Sequence, residues 1–394
     1  MEPDREWVAR ARELAARFAG RAAAHDREGS FPFENFAELR EAGFYGLTVP
    51  REFGGAEASL ATYLGVLEAL ARGDGSTALA FMMHLKTFGQ EREAPSYPAR
   101  WFERFCRGAV KRGELVNTVA TEEGLGSPSG GGLPDTTARR EGDGWVLEGR
   151  KTFTTLAPVL HHFIVLARIE KDGGGPPRVG NFLVMRGEPG LRVVETWDAL
   201  GMRATGSHDV VLERVRLPAD RLLNAREAGS PDPRAGAGMA WFGLGLCAVT
   251  IGVATAARDY AVAFARERTP NSQRPIREMP GVRMRVARMD LLLQRSRALM
   301  WDAARAWTEQ PVEGMPAIDR VAAAKVETLN ACIEAAELAM RVVGGVSLQR
   351  ARPLERYFRD VRAPLHNPPL EDRALEQLAR RALDGGFEAP KAAE

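Results

Sequence analysis

The strongest constraint on the fold is a change of hydrophobic periodicity at two points along the chain. Residues 1–115 carry apolar side chains at helical spacing, as Trp7, Leu14 and Phe18 illustrate. Residues 116–222 are rich in glycine and alternate with period two, and from about residue 236 the helical pattern returns. Helices and strands segregated in this way predict an α+β protein in which a β-rich middle domain separates two helical domains.

Individual elements can be predicted from the same patterns. Asp143-Gly144 is a typical hairpin turn and leads into the first of several short buried runs, 145–148, 163–166, 181–185, 210–212 and 215–218. The C-terminal part predicts three long alanine-rich helices and one shorter helix, at residues 241–268, 281–308, 316–343 and 371–384.

One stretch is apolar enough to require a membrane test. No residue between Arg234 and Arg258 is charged, which exceeds the ~18 residues of a spanning helix. The stretch nevertheless contains many glycines and alanines and few large aliphatic side chains. We therefore expect a helix buried among other helices, and no membrane partner.

Charge and cysteine content exclude several classes of protein. Lys and Arg number 54 against 52 Asp and Glu, so bulk charge does not favour a nucleic-acid partner. The three cysteines lack C-x-x-C spacing, so neither a disulfide scaffold nor a structural zinc site is expected, and no metal site is predicted. The first thirty residues mix arginine with acidic residues and lack the apolar region of a signal peptide. We therefore expect a cytoplasmic protein.

Four segments resemble signatures of the acyl-CoA dehydrogenase family and its flavoprotein relatives, in the family's order. Residues 121–127, TEEGLGS, are similar to T-E-P-x-A-G-S, and residues 149–155, GRKTFTT, are similar to G-x-K-x-W-I-T. Residues 200–205 with 215–218 resemble L-G-x-R followed by V-x-V-P. Gly344-Gly345 with 354–360 resembles the G-G and R-x-x-R-D elements.

The resemblance implies a three-domain architecture that agrees with the periodicity. It implies an N-terminal helical domain over 1–115, a middle β-barrel domain over 116–225 and a C-terminal four-helix bundle over 236–390. It also implies a homo-oligomer, more specifically a homotetramer, with FAD bound across a subunit interface.

The resemblance also assigns a set of FAD-binding residues. A flavin needs hydrogen-bond donors at its ring edge, an apolar wall and close backbone approach to its pyrophosphate. The residues that would supply them are Thr121, Gly126, Ser127, Phe153, Thr155, Arg268, Gly344 and Gly345. Taken alone, residues 121–127 are also an ordinary strand-end turn, and Arg268 also suits a helix C-terminus.

The family's catalytic carboxylate is missing. In the dehydrogenases a glutamate removes the substrate α-proton while hydride moves to the flavin. The resemblance places that glutamate at Pro368 in most members and at Phe242 in a smaller group. Neither residue can accept a proton.

Two histidines and one carboxylate are the remaining catalytic candidates. Residues 362–368 resemble the R-x-x-x-H-x-P end of relatives that use reduced flavin and oxygen, which points to His366 and to His84 in the N-terminal domain. A histidine near neutrality is a competent general acid or base. His84 is equally typical of a core histidine and His366 of a turn cap, and Glu371 is a reserve carboxylate.

Three functions remain open. The first is α,β-dehydrogenation of an acyl-CoA in fatty acid metabolism, with a non-standard base and an electron-transfer flavoprotein as acceptor. The second is a monooxygenase of the same fold that uses reduced flavin and oxygen. The third is a flavoprotein that has kept the fold and lost catalysis.

Overall fold

The structure is a computed structural model that describes residues 2–124, 132–170, 176–271, 274–310 and 315–384. Its N-terminal part is helical. Asp4 caps the first helix by accepting hydrogen bonds from the backbone N–H groups of Glu6 and Trp7, and Ser59 and Asp74 cap the third and fourth helices. The five helices are α1 (Arg5–Glu28), α2 (Phe33–Glu41), α3 (Leu60–Gly73), α4 (Gly75–Glu93) and α5 (Ala99–Arg107).

The middle part is an eight-stranded sheet. Its strands are β1 (Leu115–Val119), β2 (Thr137–Glu141), β3 (Gly144–Thr154), β4 (Leu160–Ile169), β5 (Arg178–Met185), β6 (Leu191–Val194), β7 (His208–Leu217) and β8 (Leu222–Glu227). They pair in the order β6-β7-β3-β2-β4-β5-β8, and β1 pairs in parallel with β4. Over the described residues this hydrogen-bonded path is open between β6 and β8.

The β2–β3 hairpin turns one residue earlier than the sequence predicts. Glu141 pairs with Gly144, so Gly142 and Asp143 form the turn and Gly144 already belongs to β3. Gly142 has φ +63°, the left-handed conformation that such a tight turn requires and that glycine adopts without steric cost. The predicted Asp143-Gly144 turn is therefore wrong by one position.

The C-terminal part is again helical. The long helices are α6 (Ala235–Glu267), α7 (Pro280–Glu309) and α8 (Ala317–Val343), followed by α9 (Leu354–Asp360) and α10 (Glu371–Asp384). The predicted 371–384 helix has the observed bounds, and the three long ones differ by six residues at most. α10 packs on α8 through a small cluster of Ala322, Val326 and Ala374.

Helix α6 is the centre of the molecule. Of the helices in the described ranges, it alone is long and apolar enough to span a membrane, yet 83% of its most apolar 18-residue window is buried inside the protein. It packs against α3 and α4 of the N-terminal part and against α7 and α8. The three helical and sheet regions together form an acyl-CoA dehydrogenase-like α+β fold, as the sequence predicts.

The cysteines and acidic clusters add no further covalent or metal constraint. Cys106, Cys247 and Cys332 are free and buried. Within the described ranges, no group of three His, Cys, Asp or Glu side chains is arranged to hold a metal ion.

Candidate functional site

The first two signature segments are joined by a buried ion pair. Lys151 Nζ lies 2.5 Å from Glu122 Oε1, and both side chains are almost completely buried. Glu122 also accepts hydrogen bonds from the backbone N–H groups of Asp135 and Thr136. The Thr152 N–H donates to the Thr121 carbonyl at 2.9 Å. The strand that carries residues 149–155 therefore fixes the backbone of Thr121.

The electrostatics of this pair follow from its burial. Burial by itself raises the pKa of Glu122, but hydrogen bonds from Lys151 and Thr136 outweigh it and hold that pKa below its ordinary value. Burial lowers the pKa of Lys151 and the neighbouring carboxylate opposes that shift. The pair is therefore ionised near neutral pH.

An exposed aromatic ring lies at the end of β3. Phe153 is 62% exposed and has φ +53° or slightly less, at 52°, a left-handed conformation that is uncommon for a bulky residue. Its ring meets Trp197 edge to face, with centroids 5.6 Å apart. Trp197 is held in turn by a hydrogen bond from its Nε1 to the Met202 carbonyl at 3.0 Å. The chain thus presents a large apolar ring to solvent at a strained backbone position.

A chain of hydroxyl groups connects the second signature segment to the third. Thr155 Oγ1 lies 2.9 Å from Ser207 Oγ, which lies 2.7 Å from Thr205 Oγ1. Thr205 donates to the Met202 carbonyl at 3.0 Å. The Thr155 side chain is therefore held in a buried network beside Phe153.

The third and fourth segments are joined directly. The Met202 N–H donates to Asp360 Oδ1 at 2.6 Å, and Arg359 donates to the Leu200 carbonyl at 2.7 Å. A Cβ at Gly201 would lie 2.6 Å from the Arg359 carbonyl oxygen, so this close approach requires glycine. Burial raises the pKa of Asp360 to about 7. All four segments are thus linked through contacts around Phe153, Thr155 and Met202.

The remaining flavin candidates divide into two groups. Gly126 and Ser127 lie outside the described residues. Arg268 is exposed at the C-terminal end of α6, and Gly344 and Gly345 are exposed after α8 with open space where a side chain would be. Among the described residues, no hydrogen bond or ion pair connects these three to Phe153 or Thr155 within one chain.

His84 is a structural histidine. It is completely buried, its Nε2 lies 3.0 Å from the Tyr45 carbonyl oxygen and its Nδ1 accepts from the Val116 N–H at 3.2 Å. Burial lowers the pKa of His84 to about 3, so the ring is neutral near pH 7. Both nitrogens are engaged by the backbone, and the prediction that His84 is catalytic is corrected to a core role.

His366 and Glu371 lie in and after an exposed loop between α9 and α10. His366 is exposed, and the loop is held by Lys325 Nζ, which donates at 2.6 Å to the carbonyls of both Asn367 and Pro369. Glu371 is exposed and accepts from Asn330 at 3.1 Å. His366 remains a candidate, and Lys325, which the sequence did not suggest, positions its loop.

A lysine lies beside one of the positions that lack the carboxylate. Phe242 on α6 packs against the Lys86 side chain of α4, with Nζ 5.9 Å from the ring centroid. Lys86 is only 9% exposed. The sequence pattern contained a signal for it, a single lysine in the apolar run 78–88, but that signal was missed.

Family models match three consecutive parts of the chain. The N-terminal, middle and C-terminal domains of the acyl-CoA dehydrogenases match residues 2–93, 117–215 and 233–365. Together these matches cover most of the protein.

Individual relatives cover nearly the whole chain. YdbM of Bacillus subtilis, whose name assigns it to the acyl-CoA dehydrogenases, is 40% identical over 97% of this chain and 98% of its own. L-evernosamine nitrososynthase of a Micromonospora species is 32% identical over 88% of this chain and 82% of its own. The structure of KijD3 in complex with FMN and a dTDP-linked amino sugar has a TM-score of 0.84 and 32% identity, over 96% of this chain and 93% of KijD3.

Proposed function

Because the chain belongs to the acyl-CoA dehydrogenase family, we propose that it is a flavin-dependent monooxygenase built on that fold. It would receive reduced flavin from a separate reductase and transfer one oxygen atom to a small organic substrate. The observation that carries this proposal is the replacement of the family's carboxylate by Pro368 at one position and by Phe242 at the other.

The residues around Phe153 fit a flavin ring. Phe153 and Trp197 offer an aromatic wall, and Phe153 is exposed on a strained backbone, which is typical of a residue that a ligand covers. Thr121 and Thr155 lie next to that wall on backbone fixed by the Glu122–Lys151 pair. We assign these residues to the isoalloxazine ring. Arg268 with Gly344 and Gly345 is assigned to the pyrophosphate and adenosine of FAD.

The missing carboxylate argues against α-proton abstraction. Dehydrogenation of an acyl thioester needs a base beside the α-carbon, and the two positions that would hold it carry no titratable group. Oxygen transfer has no such requirement. When bound, reduced flavin and dioxygen would supply the chemistry: one oxygen atom enters the substrate, the other leaves as water and the flavin becomes oxidised.

Similarity to nitrososynthases supports the same choice. A nitroso group carries oxygen on nitrogen, so the name of the Micromonospora relative describes oxygenation of an amine. That relative shares 32% of its residues with this chain over most of both proteins.

His366 is the residue we assign to proton transfer. It is the exposed titratable side chain of a loop that Lys325 fixes through two hydrogen bonds, and an imidazole can give or take a proton near neutral pH. Its assigned role is to exchange a proton with the oxygen that leaves or with the substrate.

A dehydrogenase is the second candidate. The 40% identity to YdbM over nearly the whole chain favours it. In that case the protein would act on an acyl-CoA in fatty acid metabolism, pass electrons to an electron-transfer flavoprotein, and use Glu371 or His366 as its base.

The assembly we propose is a homotetramer in the cytoplasm. Exposed apolar side chains on α7 and after α8 support further subunit contacts, among them Met284 at 74% and Leu348 at 73% exposure. Light scattering on the FAD-loaded protein should return four chains. A monomer that retains FAD contradicts both the tetramer and a site shared between subunits.

The oxygen reaction of the reduced protein tests the proposal. The FAD-loaded protein is reduced anaerobically with dithionite and mixed with oxygenated buffer in a stopped-flow instrument. Fast reoxidation of the bound flavin is expected. Flavin that stays reduced for minutes in oxygenated buffer contradicts a monooxygenase, and a flavin that reacts with neither oxygen nor acyl-CoA identifies the inactive homologue.

A further inference from the structure

Lys86 lies in a tight and otherwise apolar contact between two helices. α4 and α6 run antiparallel, so that Gly89 meets Trp241 at one level and Met82 meets Gly245 at the next. A Cβ on Gly245 would lie 2.6 Å from Met82 Sδ, which shows how closely the helices approach. The Lys86 side chain enters between these levels, and its Nζ lies over the Phe242 ring.

The amine has no counter-charge. Among the described residues, Lys86 makes no hydrogen bond and no ion pair, although it is only 9% exposed. The carboxylates on its own helix are engaged elsewhere, since Glu91 accepts from Ser96 and Tyr97, and Glu93 accepts from Trp307. Arg234 adds a second positive charge nearby and is itself paired with Asp232.

The other two buried lysines of the described chain behave differently. Lys151 is paired with Glu122, and Lys325 donates to two backbone carbonyls. Each therefore has a structural role. A buried ammonium without such partners is costly to the fold, so its presence at Lys86 indicates a partner that arrives from outside. Lys86 Nζ is not among the fully enclosed polar atoms, so that partner can reach it.

Its location identifies the partner as substrate. Phe242, the residue that Lys86 touches, stands at one of the two positions where the sequence places the missing carboxylate, beside the reacting part of the substrate. A cation therefore lies where an anion is expected. We propose that Lys86 Nζ binds an anionic oxygen of the substrate, such as a carboxylate oxygen, next to the flavin. This inference rests on the proposed function and adds the substrate class to it.

The charge state of the amine gives the proposal a pH signature. Burial, aided by Arg234, lowers the pKa of Lys86 to about 8. The charged groups that face it are Arg234 with its partner Asp232, and Glu91 and Glu93 on α4, while α6 presents Phe242. An anion should bind below pH 8 and be released above it.

Chemical labelling tests the accessibility of the amine. The chain contains only six lysines, so trace acetylation with acetic anhydride can be read at each one by mass spectrometry. Lys111 is exposed and serves as the internal reference, and the paired Lys151 and Lys325 serve as buried references. Lys86 should react far faster than these two, with a midpoint near pH 8. A Lys86 as inert as Lys151 overturns the proposal.

Matched probes test the preference for an anion. Benzoate and butyrate are compared with benzamide and butyramide on the flavin-loaded protein, through the flavin spectrum and through protection of Lys86 from acetylation. At least one carboxylate should bind and protect, and should bind at least tenfold more weakly to Lys86→Met. Lys86→Arg should retain binding at pH 9, where the wild type loses it.

Stability and flavin content separate the possible outcomes. Lys86→Met should keep the melting temperature and flavin content of the wild type, because no structural partner is lost. A fall in melting temperature, equal binding of acid and amide, or no carboxylate binding by the wild type overturns the role of Lys86. Loss of activity with unchanged anion binding also overturns it, in favour of proton transfer. Absence of flavin from the wild type contradicts the proposed function instead.

Discussion

Lys151 and Glu122 form an ion pair between the strand β3 and the segment that follows β1, with Nζ and Oε1 2.5 Å apart. The pair joins two signature segments that are separated by a long stretch of chain. Because neither side chain reaches solvent, its energetic role differs from that of the many arginine–carboxylate pairs on the surface.

Removing one member of this pair should destabilise the protein. We expect Lys151→Met to lower the free energy of unfolding by about 3 kcal/mol, because Glu122 becomes a buried charge without its cation. Adding Glu122→Gln should restore part of the loss, since the amide is neutral. Urea denaturation measures both effects. Wild-type stability in the single variant would contradict the assignment of a buried, ionised pair.

The neutral core histidine should make the protein sensitive to acid. The pKa of His84 is about 3 in the folded protein and near 6.5 in the unfolded chain. Between these values the unfolded chain binds a proton that the folded protein does not, so stability falls as the pH falls from 6.5. Burial lowers the pKa of His161, His162 and His208 as well, which adds to the same trend.

The variant His84→Gln isolates this contribution. It should be less stable than the wild type at pH 7.5, because the bonds to Tyr45 and Val116 are disturbed. Its melting temperature should nevertheless fall less steeply on acidification, because the residue no longer titrates. Thermal unfolding from pH 7.5 to 4.5 provides both slopes, and parallel curves would disprove the interpretation.

Phe153 should contribute to flavin binding and not to folding. Its ring is 62% exposed, so Phe153→Ala should leave the stability of the flavin-free protein nearly unchanged. Loss of one aromatic contact is worth about 1 kcal/mol, which corresponds to roughly fivefold to tenfold weaker FAD binding. Met284→Ala, on the exposed face of α7, is the matched control. Equal FAD affinity in the two variants would remove Phe153 from the site.

His366 is tested by turnover per flavin-loaded molecule. His366→Asn should retain the melting temperature and FAD content of the wild type, because the side chain is exposed. Its rate should fall by about 10²–10⁴, the usual effect of losing a general acid or base. Glu371→Gln is the control and should be active. If Glu371→Gln alone abolishes turnover, the role of His366 is wrong and the dehydrogenase gains its carboxylate.

The order of elements was predictable because periodicity is a local property. The helices α6, α7, α8 and α10 and the strands around Trp145 and Asn181 lie where alternating or helical patterns predict them. The hairpin turn was misplaced because either glycine, Gly142 or Gly144, suits such a turn, and only the pairing with β7 and β2 fixes the register.

The chemical roles of the site residues were less predictable because they depend on distant parts of the chain. His84 is neutralised by burial and by the backbone of Tyr45 and Val116, neither of which is near it in sequence. Lys86 and Phe242 lie on different helices, and only the packing of α4 on α6 brings them together. The sequence motifs located the site, whereas tertiary contacts decided which residues in it can react.

Anaerobic titration with acyl-CoA thioesters tests the central claim most directly. The oxidised, FAD-loaded protein is titrated without oxygen with short-, medium- and long-chain acyl-CoA thioesters while the visible flavin absorbance is recorded. A monooxygenase that lacks the family's carboxylate should show no bleaching with any of them. Stoichiometric bleaching by one acyl-CoA would contradict the proposed function and establish a dehydrogenase.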